Sequence, residues 1–233
     1  MKINSDLPTG DEKKRVVRAM FDTIAPTYEK ANTFMTFGLD KYARNILVKE
    51  LRIADGSKIL DLASGTGDFS RIFSNLGHQT IAVDLSFNML NVANNTPNKV
   101  QCDGTCLPFE NDSFDAIVCG YALRNFVNLE ELIIELFRVL KPGGKFMAVD
   151  VSVPTNKIMK LGNKLWFGKI APKIGYAISK DKEAYAYLPK STSYMPNDQI
   201  LSQMFSDEGF DGVRVSRLVA SSLIMVSASK PQT

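Results

Sequence analysis

The run Asp61-Leu62-Ala63-Ser64-Gly65-Thr66-Gly67-Asp68 concentrates small side chains directly behind an apolar stretch, Lys58-Ile59-Leu60-Asp61-Leu62. Small residues let a ligand approach the backbone, and glycine turns the chain without a Cβ clash. Asp84 ends a second apolar stretch about 20 residues further on, where a carboxylate can accept both hydroxyl hydrogens of a ribose. The combination suits a nucleoside ligand. A plain turn without a ligand, and an Asp84 that caps a helix from Ser86, are the alternatives. A dinucleotide fingerprint needs a third glycine at position 70, which is Ser70. A phosphate loop needs a Gly-Lys-Ser/Thr ending, which is absent.

These residues need strands to carry them. Buried-strand patterns lie at 58–62, 79–84, 100–102, 114–119 and 145–151, separated by helical patterns at 68–76, 86–95 and 129–140. Strand and helix alternate with short links, which predicts a mostly parallel α/β sheet with helices on both faces. Val213–Leu218 and Leu223–Ala228 flank Ala220-Ser221-Ser222, too short a link for anything but an antiparallel hairpin. Ahead of the sheet, a helix from Asp11 presents Val16, Val17, Met20 and Phe21 on one face until Pro26 stops it. A second helix over 38–52 turns Tyr42, Ile46, Leu47 and Leu51 inward. A helix at about 197–208 precedes the hairpin.

A parallel sheet closed by an antiparallel hairpin resembles the Rossmann-like, seven-stranded class I S-adenosylmethionine (SAM)-dependent methyltransferase fold. In that resemblance Asp61, Gly65, Thr66, Gly67, Asp84, Leu85 and Gly120 surround the cofactor. Asp103-Gly104, near the apolar Leu107-Pro108-Phe109, flanks the adenine. The chain divides into a helical lid (1–52), a SAM-binding core (53–153), a helical acceptor and membrane-facing insertion (154–195), and a C-terminal helix and hairpin (196–233) within one domain.

Three further stretches narrow the resemblance. Val17–Asn32 running into Met35-Thr36-Phe37-Gly38-Leu39-Asp40, Ala122-Leu123-Arg124-Asn125-Phe126, and Tyr185-Ala186-Tyr187-Leu188-Pro189-Lys190-Ser191 are similar to three signatures of the ubiquinone/menaquinone biosynthesis C-methyltransferase family. The similarity runs from about residue 15 to the final strand. Departures are Glu29 for the usual Asp, Ala43 for a frequent Trp, and Gly120 for a frequent Ser. The resemblance implies C-methylation of a polyprenylated hydroquinone, demethylmenaquinol to menaquinol foremost. Arg124 would then stabilise a phenolate, Asn125 orient the ring, and Tyr28 close the site, with Asp150 a second candidate base. Structural alternatives are Arg124 pairing with Glu130 or Glu131 and Tyr28 merely packing. Other acceptors on the same fold, or a non-catalytic SAM-binding protein, remain competing readings. A nicotinamide oxidoreductase is disfavoured by Ser70 and the hairpin.

Composition bounds the partners. A net charge of +3 is too mild for a nucleic-acid binder. Cys102, Cys106 and Cys119, an odd count, fit a reducing cytoplasm. With His78 the only histidine, placed in a solvated loop before the second strand, no metal is expected. No window is apolar enough to span a membrane. Between 155 and 182 stand Lys157, Lys160, Lys164, Lys169, Lys173, Lys180 and Lys182 against one acid, Asp181. Interleaved Ile158, Leu161, Leu165, Trp166, Phe167, Ile170 and Ile174 suit either an amphipathic cover or a peripheral contact at the inner face of an anionic membrane. The resemblance also admits a homodimer.

Overall fold

The computed structural model describes residues 8–232 apart from 95, 97, 155, 157–159, 163–164, 182–183, 185–186 and 188–189. The sheet strands are β1 (Lys58–Leu62), β2 (Gln79–Asp84), β3 (Lys99–Gln101), β4 (Phe114–Gly120), β5 (Leu140–Val151), β6 (Asp211–Leu218) and β7 (Leu223–Ser229). Their order is β3-β2-β1-β4-β5-β7-β6. The first five run parallel, and β7 lies antiparallel between β5 and β6. The two halves of the hairpin thus place the last strand inside the edge.

β1, β4 and the inner part of β5 are buried along nearly their whole length, as strands covered on both faces must be. On one face α6 (Leu129–Val139) and α8 (Asp198–Asp207) supply Leu132, Ile133, Leu136, Leu201 and Phe205 to the core. On the other, α3 (Leu39–Leu51) and α4 (Asp68–Asn75) supply Ala43, Leu47, Leu51, Phe69 and Phe73. A third cluster joins α1 (Gly10–Ile24), α2 (Tyr28–Thr36) and α5 (Phe87–Val92) to α7 (Ala171–Ser179) through Val17, Met20, Met35, Met89 and Ala171. A π-helical turn over Trp166–Ile170 leads into α7.

Three expectations change, and one element is added. The helix foreseen over 86–95 stops at Val92. α3 buries Ala43, Arg44, Leu47 and Leu51, one face at helical spacing, which leaves Tyr42 57% exposed rather than inward. The stretch between Pro26 and Gly38 is a helix of its own, α2, ended by left-handed backbone at Phe37 (φ 52) and Gly38 (φ 77). β5 begins at Leu140, not Lys145: Phe114 pairs with Leu140 and Ala116 already with Lys145, so Lys141-Pro142-Gly143-Gly144 bulges out between them.

No helix among the described residues is long and apolar enough to cross a membrane. Of the basic stretch, Lys157, Ile158, Lys164 and Lys182 fall outside the described residues.

Candidate active site

The turn after β1 is fixed by one backbone hydrogen bond and a run of positive-φ residues. Ser64 N–H donates to Val83 O on β2 at 2.9 Å, and Ala63, Gly65 and Gly67 all hold positive φ. At Gly67 (φ 81) an added Cβ would lie 2.6 Å from Thr96 Oγ1, so any other residue would be strained and would have to displace Thr96. Asp61 locks the turn from beneath. Its Oδ2 accepts from Ser70 N–H at 2.8 Å and Ser70 Oγ–H at 2.7 Å, and burial pushes its carboxyl up to about 7 despite these bonds.

A cavity with about 1090 Å³ of non-atom space, open on one side, lies over the carboxyl edge of β1, β2 and β4. Gly65, Asp84, Leu85, Asp103, Gly104, Gly120, Tyr28 and Asn125 all line it. Asp61, Thr66 and Gly67 do not. Asp61 faces Ser70, and Thr66 and Gly67 are buried within the turn.

Asp84 sits where β2 ends. Its Oδ2 accepts from Gly65 N–H and its Oδ1 from Ser86 N–H, each at 2.8 Å. Each oxygen keeps a further lone pair for a ligand hydroxyl. Burial pushes this carboxyl up to about 6, against the pull of the two backbone bonds. The helix cap foreseen for Asp84 belongs to Ser86, whose Oγ accepts from Met89 N–H. The close walls are glycines: a Cβ at Gly104 would meet the Phe126 ring at 2.7 Å, and one at Gly120 the Phe69 ring at 2.9 Å. A serine at 120 would need Phe69 to move.

Asp103 is already engaged. Burial alone would raise its carboxyl, but an ion pair with Lys14 and a 3.0 Å bond from Thr105 N–H hold it below the usual range. Lys14 comes from α1, which roofs the cavity with Asp11, Val17, Arg18 and Phe21 as well. The helical spacing revealed an apolar face on α1 but not that this face covers the sheet edge.

Arg124 is displaced from its expected place. It is buried and does not line the cavity. Its Nη1 donates to Tyr121 O at 2.7 Å and pairs with Asp150, and its Nε donates to Ser191 Oγ at 3.0 Å. Glu130 and Glu131 are not its partners in these contacts. Asp150 is fully buried, also accepts from the Arg124 and Val151 N–H groups, and does not line the cavity. The next residue, Asn125, does reach the cavity, and its Oδ1 accepts from Tyr187 Oη at 3.4 Å. Burial raises the Tyr28 hydroxyl above its ordinary value, with Arg44 and Arg124 pulling the other way. Both cavity groups are therefore uncharged hydrogen-bond donors at neutral pH.

Arg44 escaped the sequence reading. It is buried, pairs with Asp40 at 2.8 Å and Asp68 at 3.1 Å, and lies 5.1 Å over the Tyr121 ring. Cys102 lines the cavity, and burial pushes its thiol up to about 11. Among the described residues no group of three or more His, Cys, Asp and Glu stands where a metal could be held. His78 stands in the link before β2, as expected, but half-buried: its ring packs edge-on against Phe73, and its buried Nδ1 has no partner among the described residues.

Residues 9–230 match the profile of the ubiE/COQ5 methyltransferase family. The chain belongs to that family. It is 35% identical over 223 residues to a demethylmenaquinone methyltransferase of Mycobacterium tuberculosis, covering 95% of each chain. It is 34% identical to a ubiquinone/menaquinone biosynthesis C-methyltransferase of Shewanella pealeana, covering 89% of this chain and 88% of that one. Solved structures share the fold. Phosphoethanolamine N-methyltransferase 2 of Haemonchus contortus, bound to SAM, superposes with a TM-score of 0.64 at 18% identity over 91% of this chain, which spans 60% of that protein. A SAM-dependent methyltransferase of Thermotoga maritima gives 0.62 at 16% identity, covering 91% and 99%. This member of the ubiE/COQ5 family is thus a SAM-dependent methyltransferase with the class I fold. The glycine-walled cavity and the doubly accepting Asp84 fit an adenosyl group.

Proposed function

We propose that this enzyme C-methylates the ring of a polyprenylated hydroquinone, converting demethylmenaquinol to menaquinol. The observation that carries the reading is the presence of Tyr28 and Asn125 in the same cavity as Asp84, in a chain that aligns almost end to end with a demethylmenaquinone methyltransferase.

Bound SAM supplies an electrophilic methyl group on a sulfonium, so the protein needs no covalent nucleophile of its own. Its task is to orient an electron-rich carbon and exclude water. Asp84 would hold the ribose hydroxyls, Leu85 and Gly104 the adenine faces, and Gly65 and Gly120 the close backbone walls. A quinol carbon beside a hydroxyl is nucleophilic, and more so once the phenolic proton, of pKa about 10, departs. Tyr28 and Asn125 would donate to that oxygen and stabilise the phenolate as it forms. Arg124 would act one step back: its ion pair with Asp150 and its bond to Ser191 fix the turn that presents Asn125. α1 would serve as the lid. A quinol of this kind resides in a bilayer, so the reading requires the cytoplasmic enzyme to visit a membrane surface.

The Shewanella relative, named for both quinones, favours a second reading in which a benzoquinol is also accepted. Transfer of labelled methyl from SAM to reduced short-chain demethylmenaquinol and to the matching demethylated benzoquinol tests both. Turnover of the naphthoquinol with dithionite, and none of the oxidised quinone, is expected. No transfer to either quinol sinks the proposal.

A further inference from the structure

The turn between α2 and α3 presents apolar side chains that the core does not use. Phe37 is 74% exposed and Phe34 57%, with Leu39 and Tyr42 also exposed on the following helix. Phe37 holds left-handed backbone, uncommon for an aromatic residue, at the very tip of the turn. Its ring packs on Trp166 at 4.7 Å, and Trp166 Nε1–H donates to Met35 O at 2.9 Å. These contacts tie the tip to the segment carrying Leu161 and Leu165, exposed at 70% and 51%. A contiguous set of large exposed apolar side chains marks an interaction site.

Charge identifies the partner. Residues 156–180 contain no acid at all, and residues 30–49 contain only Asp40, which is buried against Arg44. Lys30, Lys41, Lys160, Lys169 and Lys173 are all exposed. Aromatic and aliphatic side chains ringed by lysines match an anionic bilayer, where the former enter the headgroup boundary and the latter meet lipid charge. We propose that the α2–α3 tip, with Phe34 and Phe37 as its wedge and Leu161 and Leu165 beside it, is the surface by which this enzyme docks on anionic membranes. The inference rests on the reading of a bilayer-borne acceptor and deepens it. α2 begins at Tyr28 in the cavity and ends at the wedge, roughly 13 Å away at 1.5 Å per residue. A docked enzyme therefore brings the cavity within a prenyl tail's reach of the bilayer.

Trp166, the only tryptophan in the chain, lies against the wedge and reports on it directly. Its emission should shift to the blue as phosphatidylcholine vesicles containing phosphatidylglycerol are titrated in, and much less with phosphatidylcholine alone. The double variant Phe34→Ser/Phe37→Ser should lower partitioning, measured by vesicle sedimentation, at least tenfold. It should keep its thermal midpoint and its methyl transfer to a water-soluble short-chain quinol. The pair Lys160→Glu/Lys169→Glu, both exposed, guards against misfolding and should bring anionic-vesicle binding down to the neutral-vesicle level. Undiminished vesicle binding by both double variants would overturn the proposal. So would a wild-type dimer that the serine variant dissolves, because the patch would then be an interface between two copies of this chain. Failure of the wild type to methylate the soluble quinol would count against the acceptor reading alone, since vesicle binding is measured without turnover.

Discussion

Asp84 ends β2 and Asp61 stands one residue before the end of the neighbouring β1, and burial raises both carboxyls, to about 6 and about 7. Their surroundings separate their roles. Asp61 spends its acceptor capacity on Ser70, inside the protein, whereas Asp84 takes one backbone N–H on each oxygen and turns the remainder to the cavity. Asp84→Asn keeps the shape but places an amide N–H against the backbone donors and removes the charge. Hydrogen bonds to a charged acceptor contribute about 1.5–3 kcal/mol each. The dissociation constant of SAM, measured calorimetrically at pH 7.5, should therefore rise at least about tenfold. The sign of the pH effect follows from the same group. The ligand hydroxyls need the ionised carboxylate, so wild-type affinity should be level above pH 7 and fall as pH drops through 6 toward 5. The Asn variant should show no such fall. A variant that binds SAM as tightly as the wild type would remove Asp84 from the site.

Helix α1 is clipped to the core at three points along its length. Lys13 Nζ donates to the carbonyls of Arg124 and Phe126 at 3.0 and 2.5 Å and lies 3.8 Å over the Tyr194 ring. Lys14 pairs with Asp103, and Asp22 accepts from Ser86 Oγ at 2.6 Å and Asn88 N–H at 3.2 Å. Asp103 and Ser86 themselves line the cavity, and Arg124 and Phe126 flank Asn125, so lifting the helix would break contacts at the cavity's rim. Burial, with Arg124 nearby, lowers the Lys13 ammonium from 10.5 to about 8. An amine depressed in the closed form contributes stability to closure above its free value and loses it as pH falls through 8. Release of S-adenosylhomocysteine, followed by stopped flow, should thus slow as pH rises from about 8 to 10. Lys13→Met should abolish that slope. A slope unchanged by the substitution would show that Lys13 does not couple α1 to release from the cavity.

At the level of the whole molecule, the cavity joins elements from across the chain: helix α1, the edge of three strands, and the turn carrying Asn125. A ligand seated there stabilises all of them against unfolding together. At a concentration 100 times its dissociation constant it adds about 2.7 kcal/mol, which for a domain of this size shifts the melting midpoint by roughly 5–11 °C. SAM and S-adenosylhomocysteine should each produce such a shift in differential scanning calorimetry, and NAD none. A shift with NAD of the same size would reopen the nicotinamide reading that Ser70 disfavours.

What could be read in the residues was local in character. Strand periodicity, the glycine turn and Asp84 at the end of its strand depend on neighbours within one or two elements, so β1, β2 and the sheet class were legible in advance, as was the hairpin from its short link. The three signatures pointed to the family through residues whose spacing is itself sequential. Partners separated by long stretches of chain were decided only on folding. Arg124 finds Asp150 and Ser191, 26 and 67 residues away, and is drawn behind the cavity that its neighbour Asn125 enters. Tyr42 points outward because its turn of α3 is rotated by the packing of Leu47 and Leu51. The roof made by α1 and the wedge at Phe37 likewise have no local signature. A helix's apolar face states that something will be covered, but only the packed structure determines what it covers and which apolar residues are left over for a partner.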